Sequence, residues 1–149
     1  MSKRTARQVV PVRLPSVRRD RHGRGMRGPL APQDSPATVS RARRFDDYVL
    51  ESVERLDRRW QEQLRRVEYA VEDVPSLDDW DRDWIPLARA FTAVGALPPR
   101  IVVYRRPIES RVAGPRQLRM LIHDVVVEQV AELLGIEPHE VDPAYTPRD

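Results

Sequence analysis

The residues best placed to do chemistry share one stretch, IHDVVVEQVAELLGI, residues 122–136. Glu128 and Glu132 stand four positions apart, and Asp124 stands four before Glu128. At about 100° per residue these three carboxylates form a single stripe along a helix. Carboxylates at i and i+4 can share a cation, but without nitrogen or sulfur ligands they favour hard ions over zinc. Gln129 lies inside the pair. Its amide is neutral, so it cannot take a proton from an attacking water. His123 adjoins Asp124 but lies about 100° round the helix from it, and four residues on stands Val127, which cannot bind a metal. His22 and His139 have no partner at metal-ligand spacing. No phosphate-cradling Gly-rich loop, Ser/His/Asp arrangement or nucleic-acid motif is legible elsewhere, and the absence of cysteine removes disulfides and thiolate metal sites.

The helix that carries this stripe is predicted over about residues 115–134, with Gly135 ending it. Leu118, Leu121, Ile122, Val125, Val126, Val130 and Leu133 make a broad apolar face, and Met120, Val127 and Leu134 extend it round the far side. A helix apolar nearly all round belongs deep in its domain. The stripe of Asp124, Glu128 and Glu132 must then face water, pair with arginines such as Arg105 and Arg119, or line a polar site. His123 is expected at the edge of the core.

Upstream, Phe45, Val49, Val53, Leu56, Trp60 and Leu64 recur at spacings of three and four. They predict an amphipathic helix of about 25 residues, begun by an N-cap at Ser40. VEYAVEDVP, with Val67, Tyr69 and Val71 alternating, predicts a strand that Pro75 stops. SLDDWDRDW (76–84) is an acidic loop whose Trp80 and Trp84 are expected to cover a core edge. PLARAFTAV (86–94) and IVVYRRPI (101–108) predict two further strands, and EPHEVDPAY a closing turn. The order is helix, three strands, helix: a small α+β domain with a buried C-terminal helix.

The segment from Tyr104 to Ile136 resembles the minimal zincin-like metallopeptidases, in which a strand ending in Tyr-Arg-x-Pro precedes a helix bearing His-Glu-x-x-His and then Gly-Ile. Tyr104, Arg105, Pro107, Leu118, Gly135 and Ile136 fall into that pattern without a gap, and VEDVP and LPPRIVVYRRPI are similar to its earlier strands. RHGRGMRGPLAP and LIHDVVVEQVAELLGI are similar to its actinobacterial branch. The resemblance spans about residues 40–142 and implies a zincin-like domain over residues 40–149 and a zinc or other divalent ion. In its register Glu128 and Glu132 hold the two histidine positions, and Gln129 holds that of the general-base glutamate. Asp124 and His123 are further candidate ligands. The motif needs two imidazoles on one helix face to hold zinc, and a glutamate to take the proton of the bound water. Glu, Gln and Glu in those places argue for no tightly bound metal and for weak or absent catalysis.

The net charge of +3 hides a division. Residues 1–44 carry 12 basic and 2 acidic side chains, a net of +10, whereas residues 45–149 carry 14 basic and 21 acidic, a net of −7. Residues 1–39, rich in Arg, Pro and Gly, cannot bury enough apolar surface to offset chain entropy and are expected to be disordered, with Leu30 a possible anchor on the body. Such a tail could contact a polyanion through residues 3–27, bind a protein partner, or fold back on the acidic body. No apolar run reaches the roughly 20 residues of a membrane span. Arg18 and Arg19 are followed by no apolar stretch, so no secretory signal is expected, and a cytoplasmic location is expected by default. Three functions compete: a metal-dependent peptidase with altered ligands, a non-catalytic interaction protein on the same fold, and a binder of nucleic acid or another polyanion through the basic tail.

Overall fold

The computed structural model describes residues 36–76 and 84–148, with side chains from Arg41 onward. The expectations for the basic tail, its Leu30 anchor and its polyanion contact fall on residues 1–35, and that for Trp80 on residues 77–83. Both stretches lie outside the described residues.

Helix α1 (Pro36–Leu64) starts four residues ahead of the expected cap at Ser40. A proline suits a first helical position, where no N–H is needed for the helix ladder. Its apolar stripe packs inward: Phe45 and Val49 are fully buried, with Val53, Leu56 and Leu64 close behind. Trp60 leaves helical geometry (φ −119°, ψ 32°) and kinks the helix. Its indole N–H donates to the Val141 carbonyl at 3.0 Å, which ties the kink to the far end of the chain.

Strands β1 (Glu68–Glu72), β2 (Ala88–Phe91) and β3 (Arg100–Tyr104) form one sheet in the order β1-β3-β2. β1 runs parallel to β3, with Tyr69 opposite Ile101, and β2 runs antiparallel to it. The central strand β3 is buried along its whole length. Its period-two alternation splits the core. Ile101 and Val103 join Tyr69 and Ala88 under the helices, while Val102 and Tyr104 meet Ala70 on the other face, with Phe91 packed alongside.

Three local expectations change. β3 ends at Tyr104, and Arg105–Glu109 turns into helix α2 instead of continuing the strand to residue 108. Pro107 is tolerated there because it lies in a first turn, whose N–H groups have no partner within the helix. Trp84 is 64% exposed, so it does not cover the core edge; Pro86 and Ala88 are buried there instead. β2 is shorter than the predicted strand, and beyond it Val94 and Leu97 bridge a turn in which Gly95 takes the left-handed φ of 59°.

Helix α3 (Pro115–Leu134) sits at the centre of the domain, against α1, both β2 and β3, α2, and the short helix α4 (Pro138–Val141). Leu118, Leu121, Ile122, Val125, Val126, Val127, Val130 and Ala131 are buried. At roughly 1.5–3 kcal/mol for each large aliphatic side chain, this helix contributes a major part of the apolar stabilisation. Gly135 caps it in the left-handed region (φ 72°), its N–H donating to the Ala131 carbonyl at 2.8 Å. No helix of the described residues is long and apolar enough to cross a membrane.

Candidate functional site

With three sides of α3 buried, the fourth carries the stripe of Asp124, Glu128 and Glu132, and the chain after α4 returns over it. The reversal is made at Asp142, whose carboxylate accepts from the Ala144 N–H at 3.0 Å and whose carbonyl accepts from the Tyr145 N–H at 2.9 Å. This side-chain-closed turn is what an Asp-Pro sequence favours. It brings Tyr145 and Arg148 back to Glu128. The Tyr145 hydroxyl donates to Oε2 at 2.5 Å, Arg148 Nη1 donates to the same oxygen at 2.7 Å, and Nη2 donates to Oε1 at 3.1 Å. A guanidinium thus grips the carboxylate in two-pronged fashion, with a phenol as third donor. Burial, reinforced by the bond to Glu128 and its charge, raises the Tyr145 hydroxyl to about 12.

The rest of the stripe is less engaged. Asp124, one turn before Glu128, has no hydrogen-bond partner among the described residues. Burial holds its carboxyl above the ordinary range, outweighing the attraction of Arg148 and His123. Glu132 is exposed, and Gln129 is half-buried. The arginines expected to pair with the stripe are committed elsewhere: Arg119 to Glu51 at 2.5 Å, and Arg105 to Asp73 at 3.0 Å and to Glu109 at 3.2 Å. Arg119 is also the main reason the Glu51 carboxyl sits below its ordinary value. The stripe's arginine is Arg148, which helical spacing does not reveal because it arrives through the Asp142 turn.

His123 belongs to a second constellation, whose members are far apart in the sequence. Its Nδ1 lies 2.7 Å from Ser52 Oγ on α1, and its Nε2 lies 2.6 Å from Asp142 Oδ2. An ionised carboxylate only accepts, so Nε2 carries the proton, and in the neutral ring the serine hydroxyl donates to Nδ1. Burial alone would raise the Asp142 carboxyl. Hydrogen bonds from His123 and the Ala144 N–H, with the charges of His123 and Arg55, bring it below its ordinary value instead. The order Ser52–His123–Asp142 is that of a serine hydrolase, but Ser52 is only 3% exposed, so no acyl group reaches its oxygen. The three residues instead join α1, α3 and the Asp142 turn at the core edge. No sequence signal announces them, since the contacts span 71 and 19 residues.

The sequence model of the zincin-like metallopeptidases matches residues 64–146, more than half of the 149-residue chain. The chain belongs to this family. No curated protein matches it. The matched span covers the sheet, α2, α3, α4 and the Asp142 turn, and with them Glu128, Tyr145, His123 and Asp142, while Ser52 and Arg148 lie outside it.

In the register of the family resemblance, α3 is the helix on which zinc would be sought. The donor set present does not fit the ion. Both oxygens of Glu128 are taken by Arg148 and Tyr145, and both ring nitrogens of His123 by Ser52 and Asp142. Among the described residues, no three His, Asp or Glu side chains come together as a metal site requires.

Proposed function

We propose that this chain is a non-catalytic member of the zincin-like family, with a degenerate motif, acting through contacts with a protein or peptide partner. The observation that carries the reading is the seating of Arg148 and Tyr145 on Glu128, in the position the family resemblance gives to the first metal ligand. A cation already neutralises that carboxylate, so a metal ion would have to displace a two-pronged guanidinium and a phenol before binding. Gln129 weakens the case for catalysis independently. Loss of a general base typically lowers rate about 10²–10⁴-fold even where everything else is in place.

The test is peptide hydrolysis by the full chain, with and without added Zn²⁺ or Mn²⁺, against a mixture of unstructured peptides. The expected result is cleavage no faster than the buffer control under either condition. Metal-dependent, chelator-sensitive turnover that disappears in Glu128→Ala would overturn the proposal and restore the peptidase reading.

A second reading rests on the charge division of the chain, +10 in residues 1–44 against −7 in the remainder. The basic segment contacts a polyanion by releasing its counterions, so affinity falls steeply with salt. Equal affinities of the full chain and of a variant with the arginines of residues 4–27 changed to glutamine would remove it.

A further inference from the structure

Away from α3, the face of α1 that looks toward β1 bounds a cavity of about 360 Å³. Its apolar wall is Val53, Leu64, Val67 and the Tyr69 ring, and its polar groups are Asp57, Gln61 and Arg65. The spacing explains the arrangement: 53, 57, 61 and 64 lie along one face of the helix, and Tyr69 is on the helix-facing side of β1. The volume lies in the range of small-ligand sites, which typically combine an apolar body with a few convergent polar groups.

Two groups in this lining, the Tyr69 hydroxyl and the Asp57 carboxyl, are costly to the fold as they stand. Tyr69 is only 8% exposed, and its hydroxyl is sealed from solvent without a hydrogen-bond partner. Such a group costs about 1–3 kcal/mol when left unsatisfied. Asp57 is half-buried with no cationic or hydrogen-bonding partner among the described residues, and burial raises its carboxyl above the ordinary range, with Glu54 adding to the effect. The two groups are close enough that the Asp57 charge adds to the burial that pushes the Tyr69 hydroxyl upward. The unpaired carboxylate beside an aliphatic wall presents an acceptor for a donor-rich cation and a surface for its hydrocarbon part, and the phenol becomes a second acceptor once its side chain turns toward the cavity.

We propose that this cavity binds a small aliphatic ammonium compound, its cation on Asp57 and its hydrocarbon chain against Val53, Leu64 and Val67. Gln61 and the Tyr69 oxygen, once the side chain adjusts to meet the ligand, accept the remaining ammonium protons. Arg65 at the rim accommodates a carboxylate when the ligand carries one, so an apolar amino acid fits as well as its amide. The site shares no residue with α3 and stands whether or not the chain is catalytic.

Titration calorimetry on the full chain tests this with three probes of similar size: leucinamide, leucine and isocaproate. Leucinamide and leucine are expected to bind and isocaproate, which lacks the ammonium, is not. Asp57→Asn is expected to weaken leucinamide at least about tenfold. Its melting temperature should not fall, because the substitution removes a poorly solvated charge. Tyr69→Phe, which deletes a hydroxyl without a partner in the fold, is expected to weaken leucinamide about threefold with the melting temperature kept or raised. Isocaproate binding as well as leucinamide, an undiminished affinity in Asp57→Asn, or no heat from either amine at millimolar concentration would each overturn the assignment.

Discussion

Removing the charge on either side of the Glu128–Arg148 pair gives the sharpest view of how the α3 stripe is held. Glu128→Gln keeps the shape and still offers Tyr145 an amide oxygen, while Arg148→Met keeps an aliphatic stem and loses the guanidinium. The side chains of the pair are 25% and 36% exposed, and the geometry is two-pronged at 2.7 and 3.1 Å. A fully exposed pair contributes about 0.2–1 kcal/mol. Hydrogen bonds to a charged group contribute about 1.5–3 kcal/mol when shielded. Partial exposure places this pair between the two ranges, so its coupling energy is expected near 1 kcal/mol. For a domain of this size that corresponds to a melting shift of about 4 °C. The assay is a double-mutant cycle by urea unfolding, followed by circular dichroism at low and high salt. The double variant should be no less stable than the worse single variant, and the coupling should shrink with added salt. A coupling below about 0.3 kcal/mol at low salt, within the error of additivity, would show that Arg148 is not seated on Glu128 in solution.

Asp124 has a raised carboxyl, so its protonated form is favoured in the fold. Its contribution to stability is present below the unfolded-state value near 4 and is lost as pH rises through the higher folded-state value. Asp124→Asn should therefore be more stable than the parent at pH 7, by a few tenths of a kcal/mol after solvent screening, with no advantage below about pH 4. Gly135→Ala should cost about 1–2 kcal/mol in chemical unfolding; φ is 72° and an added Cβ meets nothing within 4 Å, so the whole cost is backbone strain. Trp60→Phe removes the donor to the Val141 carbonyl and should cost about 1–3 kcal/mol, measured as a lower melting temperature.

The two long helices were legible because their apolar residues repeat at helical spacing and the buried sets follow that repeat. Phe45, Val49 and Val53 on α1, and Ile122, Val125 and Val126 on α3, are inside as the pattern requires. The end of β3 was not legible, because Arg105-Arg106-Pro107 continues an extended-looking run and only the turn into α2 shows that Pro107 opens a helix. Trp84 misled for a related reason: aromatic character favours burial, but local packing assigned that edge to the smaller Pro86 and Ala88. In the site, spacing singled out Glu128, and the Gly135 stop lay where the sequence placed it. Its partners Tyr145 and Arg148 depend on a chain reversal at Asp142, and the Ser52–His123 contact on the approach of two helices. Neither leaves a periodic trace. The Asp-Pro pair at 142–143 was the one local signal that the chain turns there.

The most direct measurement of the central claim is the metal content of the full chain purified without a histidine tag, followed by thermal melting with added Zn²⁺ or Mn²⁺. Any ion that binds the folded state alone raises the melting temperature in proportion to the logarithm of its occupancy ratio. A chain whose Glu128 is held by Arg148 and Tyr145 is expected to carry no stoichiometric metal and to show no melting shift. Near-stoichiometric metal, lost together with thermal stability in Glu128→Ala or Glu132→Ala, would contradict it.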